Sequence, residues 1–95
     1  MKNVYNVWYG SDIVGVKGYV KHSLEDLVAT FDSEEKVARY MRECVDIMRS
    51  HSLWDGEFIK DIPDGDIPMD TKIVCSIDSD RTVQHYFRYT ACNVK

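Results

Sequence analysis

The stretch D-S-E-E-K-V-A-R-Y-M-R-E-C-V-D-I-M-R-S, Asp32 to Ser50, decides the fold. Asp32 is a good N-cap, because its side-chain oxygen accepts from a backbone N–H that has no partner in the first turn. Glu35, three positions on, completes a capping box. Glu34 and Glu35 also place negative charge at the positive end of the helix dipole. Val37, Met41, Cys44, Val45 and Met48 then recur at i, i+4, i+7, i+8 and i+11, one apolar stripe at helical period that Tyr40 and Ile47 widen. Glu35–Arg39, Arg39–Glu43 and Arg42–Asp46 set opposite charges four apart on the wet face. The pattern predicts a helix over about residues 33–50 with one face to bury, and the rest of the chain must supply the cover.

Working outward, strands provide it. Val4 to Tyr9 (VYNVWY) is β-branched and aromatic, and Gly10-Ser11-Asp12 reads as a turn. Ile13 to Lys21 resumes a strand pattern, weakened by Gly15 and Gly18. These segments predict a hairpin. Ser23 to Phe31 is ambiguous: Ser23 with Asp26 opens a short helix, while Val28 to Phe31 equally suits a short strand, and one helical turn followed by extended chain is the favoured reading. Beyond the helix, Lys72 to Ile77 alternates, Asp78 to Arg81 forms a polar turn, and Thr82 to Cys92 alternates again. The outline is ββαββ: an α+β fold in which one helix covers a small antiparallel sheet, with Trp8 and Phe87 joining the helix stripe in the core.

Ninety-five residues allow one domain, 1–95, with a modest core. No apolar run of about 18 residues is present, which predicts no membrane span. The N-terminal MKNVYNVWYG has no apolar h-region of a signal peptide. Cys44, Cys75 and Cys92 are widely spaced without a CxxC pair, as in a reduced chain. A cytoplasmic location is therefore expected. The net charge is −4, yet Asp55 to Asp70 alone carries −5, so the remainder is +1. This is a near-neutral domain bearing one acidic loop, residues 53–70.

That loop holds D-I-P-D-G-D-I-P-M-D, Asp61 to Asp70. Calcium loops need oxygen ligands at fixed offsets, and here Pro63 or Pro68 falls at the third position, so neither metal nor cofactor is expected. Pro63 and Pro68 push the preceding isoleucines towards extended geometry, and Asp64-Gly65 supplies a turn. Beside the reading as a plain solvated loop stands a stiff acidic bracket that meets a protein partner with a basic surface. Its contact residues would be Asp55, Glu57, Asp61, Asp64, Asp66, Ile67 and Asp70, with Ile62 and Met69 as further apolar anchors. An alternative platform combines Lys17, Tyr19 and Lys21 with Tyr86 and Arg88, cations and aromatics that hold a nucleotide-like anion. Sequence-specific nucleic acid is not expected from a remainder of +1; a partial DNA mimic stays as a second alternative, although a full mimic spreads its carboxylates more widely than this chain does. Self-association into a homo-oligomer stays open. The histidines His22, His51 and His85 are scattered, Cys44 and His51 lie two turns apart, and Cys75 with His85 reads as a chance cross-strand pair. No phosphate loop or nucleophile elbow is present, so no enzyme is expected.

The pattern VYNVWYGSDIVGV followed by ATFDSEEKVARYM resembles small proteins of tailed bacteriophages that open on a valine- and tyrosine-rich strand pair and continue F-x-[ST]-x-E-K-A-x-x-Y into a helix. Phe31, Ser33, Glu35, Lys36 and Tyr40 match, with Val37 in place of alanine. The resemblance covers the first half of the chain. Some proteins of this kind inhibit host enzymes or immune complexes, and some sequester nucleotide signals. The resemblance therefore implies a binding protein in the host cytoplasm that inhibits a host defence or metabolic protein or, alternatively, holds a nucleotide signal. The acidic loop has no counterpart there, and no functional residue carries over.

Overall fold

The computed structural model describes residues 2–14, 20–51, 58–59, 62–63, 65–77 and 82–94, with residues 2, 20–22, 51, 58–59 and 94 described by their backbone. The chain forms β1 (Lys2–Val14), β2 (Val20–Phe31), α1 (Glu34–His51), β3 (Phe58–Ile59), β4 (Ile73–Ile77) and β5 (Val83–Val94). All pairings are antiparallel, in the order β2-β1-β5-β4-β3. This is the expected small α+β fold, with a two-residue β3 added to the ββαββ outline. Among the described residues, no helix is long and apolar enough to cross a membrane.

The helix starts one residue later than its acidic box suggested. The Ser33 hydroxyl accepts from the Lys36 N–H at 3.3 Å and so takes the cap. Asp32 instead pairs with Lys36 at 2.7 Å across one exposed turn. Of the predicted helical ion pairs, Glu35–Arg39 forms loosely, at 3.8 Å, while Arg42 reaches away from the helix towards the acidic loop.

The stripe finds its cover. Val37, Met41 and Val45 are buried against Val7, Cys75, Phe87 and Tyr89, and Cys44, Met48 and Tyr40 pack around them. Burying each such side chain contributes about 1.5–3 kcal/mol. Tyr9 meets Phe87 at 4.9 Å between ring centres, and Phe31 meets Tyr40 at 5.3 Å. Two further isoleucines, Ile62 and Ile67, complete this core from the acidic loop.

Three expectations need correction. Gly10-Ser11-Asp12 is no turn: β1 runs straight through it, and the connection to β2 lies outside the described residues, as do Gly15 and Gly18. Ser23 to Phe31 forms no helical turn but the body of β2, paired with β1 residue by residue apart from a bulge at Val28, opposite the Val7–Trp8 step. Trp8 is half-buried and lies outside the helix-covered core, because β1 turns its even-numbered residues to the opposite face.

Candidate functional site

The acidic bracket is built on two apolar pegs. Ile62 and Ile67 keep 4% and 7% of their surface, and between them Pro63, Gly65 and Asp66 are exposed. Gly65 holds φ at +89°, where a side chain would be strained. Arg42 of α1 donates from Nη2 to the Pro63 carbonyl at 2.9 Å and approaches the Gly65 carbonyl at 3.5 Å. The Tyr89 hydroxyl lies 2.8 Å from the Ile67 carbonyl and 3.2 Å from a Glu34 carboxylate oxygen. Burial and the Glu34 charge push the Tyr89 hydroxyl pKa up, so it stays a donor. The loop is thus tied to helix and sheet at both ends. Between it and α1 lies a groove of about 260 Å³, whose lining includes Glu34, Glu35, Asp66 and Arg42.

Ile67, expected from sequence to meet a partner, is a core residue that leaves a small part of its surface on the wall of this groove. Asp66, Met69 and Asp70 are exposed. Asp55, Glu57, Asp61 and Asp64 lie outside the described residues.

The sheet face opposite α1 carries a polar network. Asp12, 1% exposed, accepts from Ser23, from Lys72 at 3.2 and 3.3 Å and from Gln84 at 3.5 Å. Burial alone raises its pKa, and the hydrogen bonds from Ser23, Lys72 and Gln84 outweigh that and bring it below the usual carboxylate range. Glu25 receives a fork from Arg88, Nε at 3.0 Å and Nη2 at 2.5 Å. That bond, against opposing burial and aided by the Tyr86 hydroxyl at 2.9 Å, holds the Glu25 pKa low as well. Arg88 gives its third nitrogen to Asp70 at 2.5 Å, and the Glu25 fork is the main reason its pKa rises. Asp70 itself adopts φ +59°, and its N–H donates to the Tyr89 carbonyl at 2.8 Å. Trp8 lies beside Arg88 and donates from Nε1 to Thr90 at 3.1 Å.

Tyr86 links the two halves of this network. It is 1% exposed, and its ring lies on Gly10, where a Cβ would come within 2.5 Å of it. Lys72 Nζ sits 4.8 Å above the ring centre.

Of the alternative platform, the structure brings together Tyr86 and Arg88. Lys17 and Tyr19 lie outside the described residues, as does the side chain of Lys21. The face of Tyr86 is covered, and both Lys72 and Arg88 are held by carboxylates. Three acids, Asp12, Glu25 and Asp70, meet two cations there. Sequence reasoning missed Asp12, Ser23, Glu25 and Lys72, since nothing local connects them. Ser23 and Lys72 come within 3.4 Å, but an ammonium engaged by Asp12 has no lone pair to act as a base. Cys75 donates its thiol to the His85 carbonyl at 3.6 Å, and burial pushes it up to about 11, far from a nucleophilic thiolate. No group of three His, Cys, Asp or Glu among the described residues is placed to hold a metal ion.

No family model, curated protein or solved structure matches this chain.

Proposed function

We propose that this chain is a non-enzymatic binding protein that docks on a protein partner with a basic surface, using the bracket Ile62–Asp70 and the groove beside it. One observation carries the reading: a loop clamped at both ends presents Asp66 and Met69 next to a 260 Å³ groove that Glu34 and Glu35 make acidic. A partner's lysine or arginine fits that groove. The clamp means that little loop entropy is lost on docking. The acids steer encounter and so act mainly on the association rate. Inhibition of a host defence or metabolic protein, as the phage resemblance implies, is the biological form of this reading. On this reading the protein acts in the host cytoplasm. The nucleotide-sequestering alternative is less well supported, because Arg88, the platform cation whose side chain is described, is held by Glu25 and Asp70.

The test is capture of partners from bacterial lysate by the wild-type chain and by Glu35→Lys/Asp66→Lys. Both positions are exposed, so the variant should fold. Wild-type chain should retain a partner that the variant loses, with an on-rate that falls steeply as salt rises. Equal retention by both chains, or a salt-independent rate, defeats the proposal.

A further inference from the structure

We propose that the outer edge of β2 is a self-association site, where a second copy of this chain pairs antiparallel through residues 20–28 with the two-fold axis at Leu24. β2 closes one side of the sheet and, among the described residues, has β1 as its sheet neighbour. A twelve-residue edge strand leaves a row of N–H and C=O groups pointing outward, a template for another strand.

The side chains match that use. Leu24 is 62% exposed, Leu27 51% and Val28 42%, half of the large exposed hydrophobics among the described residues. The helix packs over the far end of β2, near Ala29 and Phe31, and leaves Leu24 open. Ser23 and Glu25, its neighbours, face the other side of the sheet and belong to the polar network.

Symmetry then selects the register. A two-fold axis between antiparallel strands stands perpendicular to the sheet and keeps each side chain on its own face. It must therefore centre on a residue that meets its own copy. Centring on Glu25 or Asp26 sets a carboxylate against itself, which is destabilising. Centring on Leu27 sets the Val28 bulge beside the axis, whereas centring on Leu24 keeps the bulges at Lys21 and Val28 towards the ends of the paired segment. Centring on Ser23 sets Leu24 opposite residue 22 and leaves Val28 outside the pairing. Centring on Leu24 places it against the partner subunit's Leu24. Val20 then meets the partner subunit's Val28. The basic pair Lys21-His22 of each strand runs alongside the acidic pair Glu25-Asp26 of the other. The self-complementary order of V-K-H-S-L-E-D-L-V is the feature that points to a second copy rather than to an unrelated strand.

Sedimentation equilibrium over a wide concentration range tests this directly. The chain should show a reversible monomer–dimer equilibrium, and Leu24→Lys should raise its Kd at least tenfold while leaving monomer unfolding unchanged. Leu24→Cys, in a Cys92→Ser background with oxidised glutathione, should give an intermolecular disulfide. Opposed residues have Cα atoms about 4.5–5.5 Å apart, inside the disulfide range. Thr30→Cys, on the same strand but beyond the paired segment, should not cross-link. A chain that stays monomeric at millimolar concentration overturns the proposal. So does a dimer indifferent to Leu24→Lys, or one that cross-links equally well through position 30.

Discussion

Gly10→Ala should be among the more damaging single-methyl additions to this protein. The Cβ would come within 2.5 Å of Cζ and Oη of Tyr86 and 2.7 Å of the Leu24 carbonyl oxygen. A flexible side-chain tip swings aside from such a clash, but Tyr86 is buried and its hydroxyl is bound to Glu25. Moving the ring gives up that charge-assisted bond, a loss of about 1.5–3 kcal/mol. Overpacking adds about 1–3 kcal/mol. Alanine's smaller unfolded-state entropy offsets roughly 0.5–1 kcal/mol. The net loss is about 1.5–5.5 kcal/mol, which for a domain of this size lowers Tm by at least about 6 °C. Urea unfolding followed by tryptophan fluorescence measures it. A double-mutant cycle with Tyr86→Ala tests the cause, because Gly10→Ala should cost much less once the ring is gone. A loss below about 1 kcal/mol, or fully additive costs in the cycle, would refute the seating of Tyr86 on Gly10.

Two further outcomes concern the buried charges. Lys72→Met should cost more than Asp12→Asn, about 1–3 kcal/mol by urea midpoint at pH 7. It strands a buried carboxylate, whereas Lys72, with 43% of its side chain exposed, can turn to solvent when Asp12 is neutralised; the reverse order refutes this. Asp12 and Glu25 both titrate below their ordinary range. The unfolded chain therefore binds their protons first, and stability that is complete above the unfolded carboxylate values, about 4, is lost as pH falls through the folded ones. The urea midpoint should be flat near neutrality and drop in acid, and Lys72→Met should make that drop smaller, because it raises the folded Asp12 value towards the unfolded one. Thiol labelling at pH 8 should modify exposed Cys92 first and Cys75 only on unfolding; early labelling of Cys75 contradicts its placement in the core.

The helix was legible because its evidence is local: a cap, an apolar stripe and charge pairs all lie within one stretch. β5 was legible for the same reason, since Val83, His85, Phe87 and Tyr89 alternate without interruption. β2 was not. S-L-E-D-L carries a capping serine, an acid three residues on and leucines three apart, which is a plausible helix start. What makes it a strand lies far away in sequence: Glu25 bonds Arg88, 63 residues on, and Ser23 bonds Asp12 across the sheet. Gly10 and Asp12 misled in the same way. Turn composition there reflects the seat of Tyr86 and the partner of Lys72, not a reversal of the chain. In the acidic loop, the stiffness was readable from Pro63 and Pro68. The burial of Ile67 was not, because it depends on Tyr89, 22 residues on, which bonds its carbonyl and shares its core cluster.

The two faces of the sheet are stabilised by different physics, and this separates the experiments that probe them. The α1 side relies on apolar burial, and its losses are cavities: Met41→Ala should cost about 2–5 kcal/mol at any moderate pH. The open side relies on carboxylates held by Lys72, Arg88, Ser23 and Tyr86, and its losses depend on pH. β2 contributes to both, because strand geometry turns Ser23 and Glu25 into the network while Leu24 and Asp26 lie on the other face. Substitutions at Ser23 or Glu25 therefore disturb folding before they disturb any edge contact. Leu24, exposed and outside the network, is the position where association can be altered while the fold is left intact.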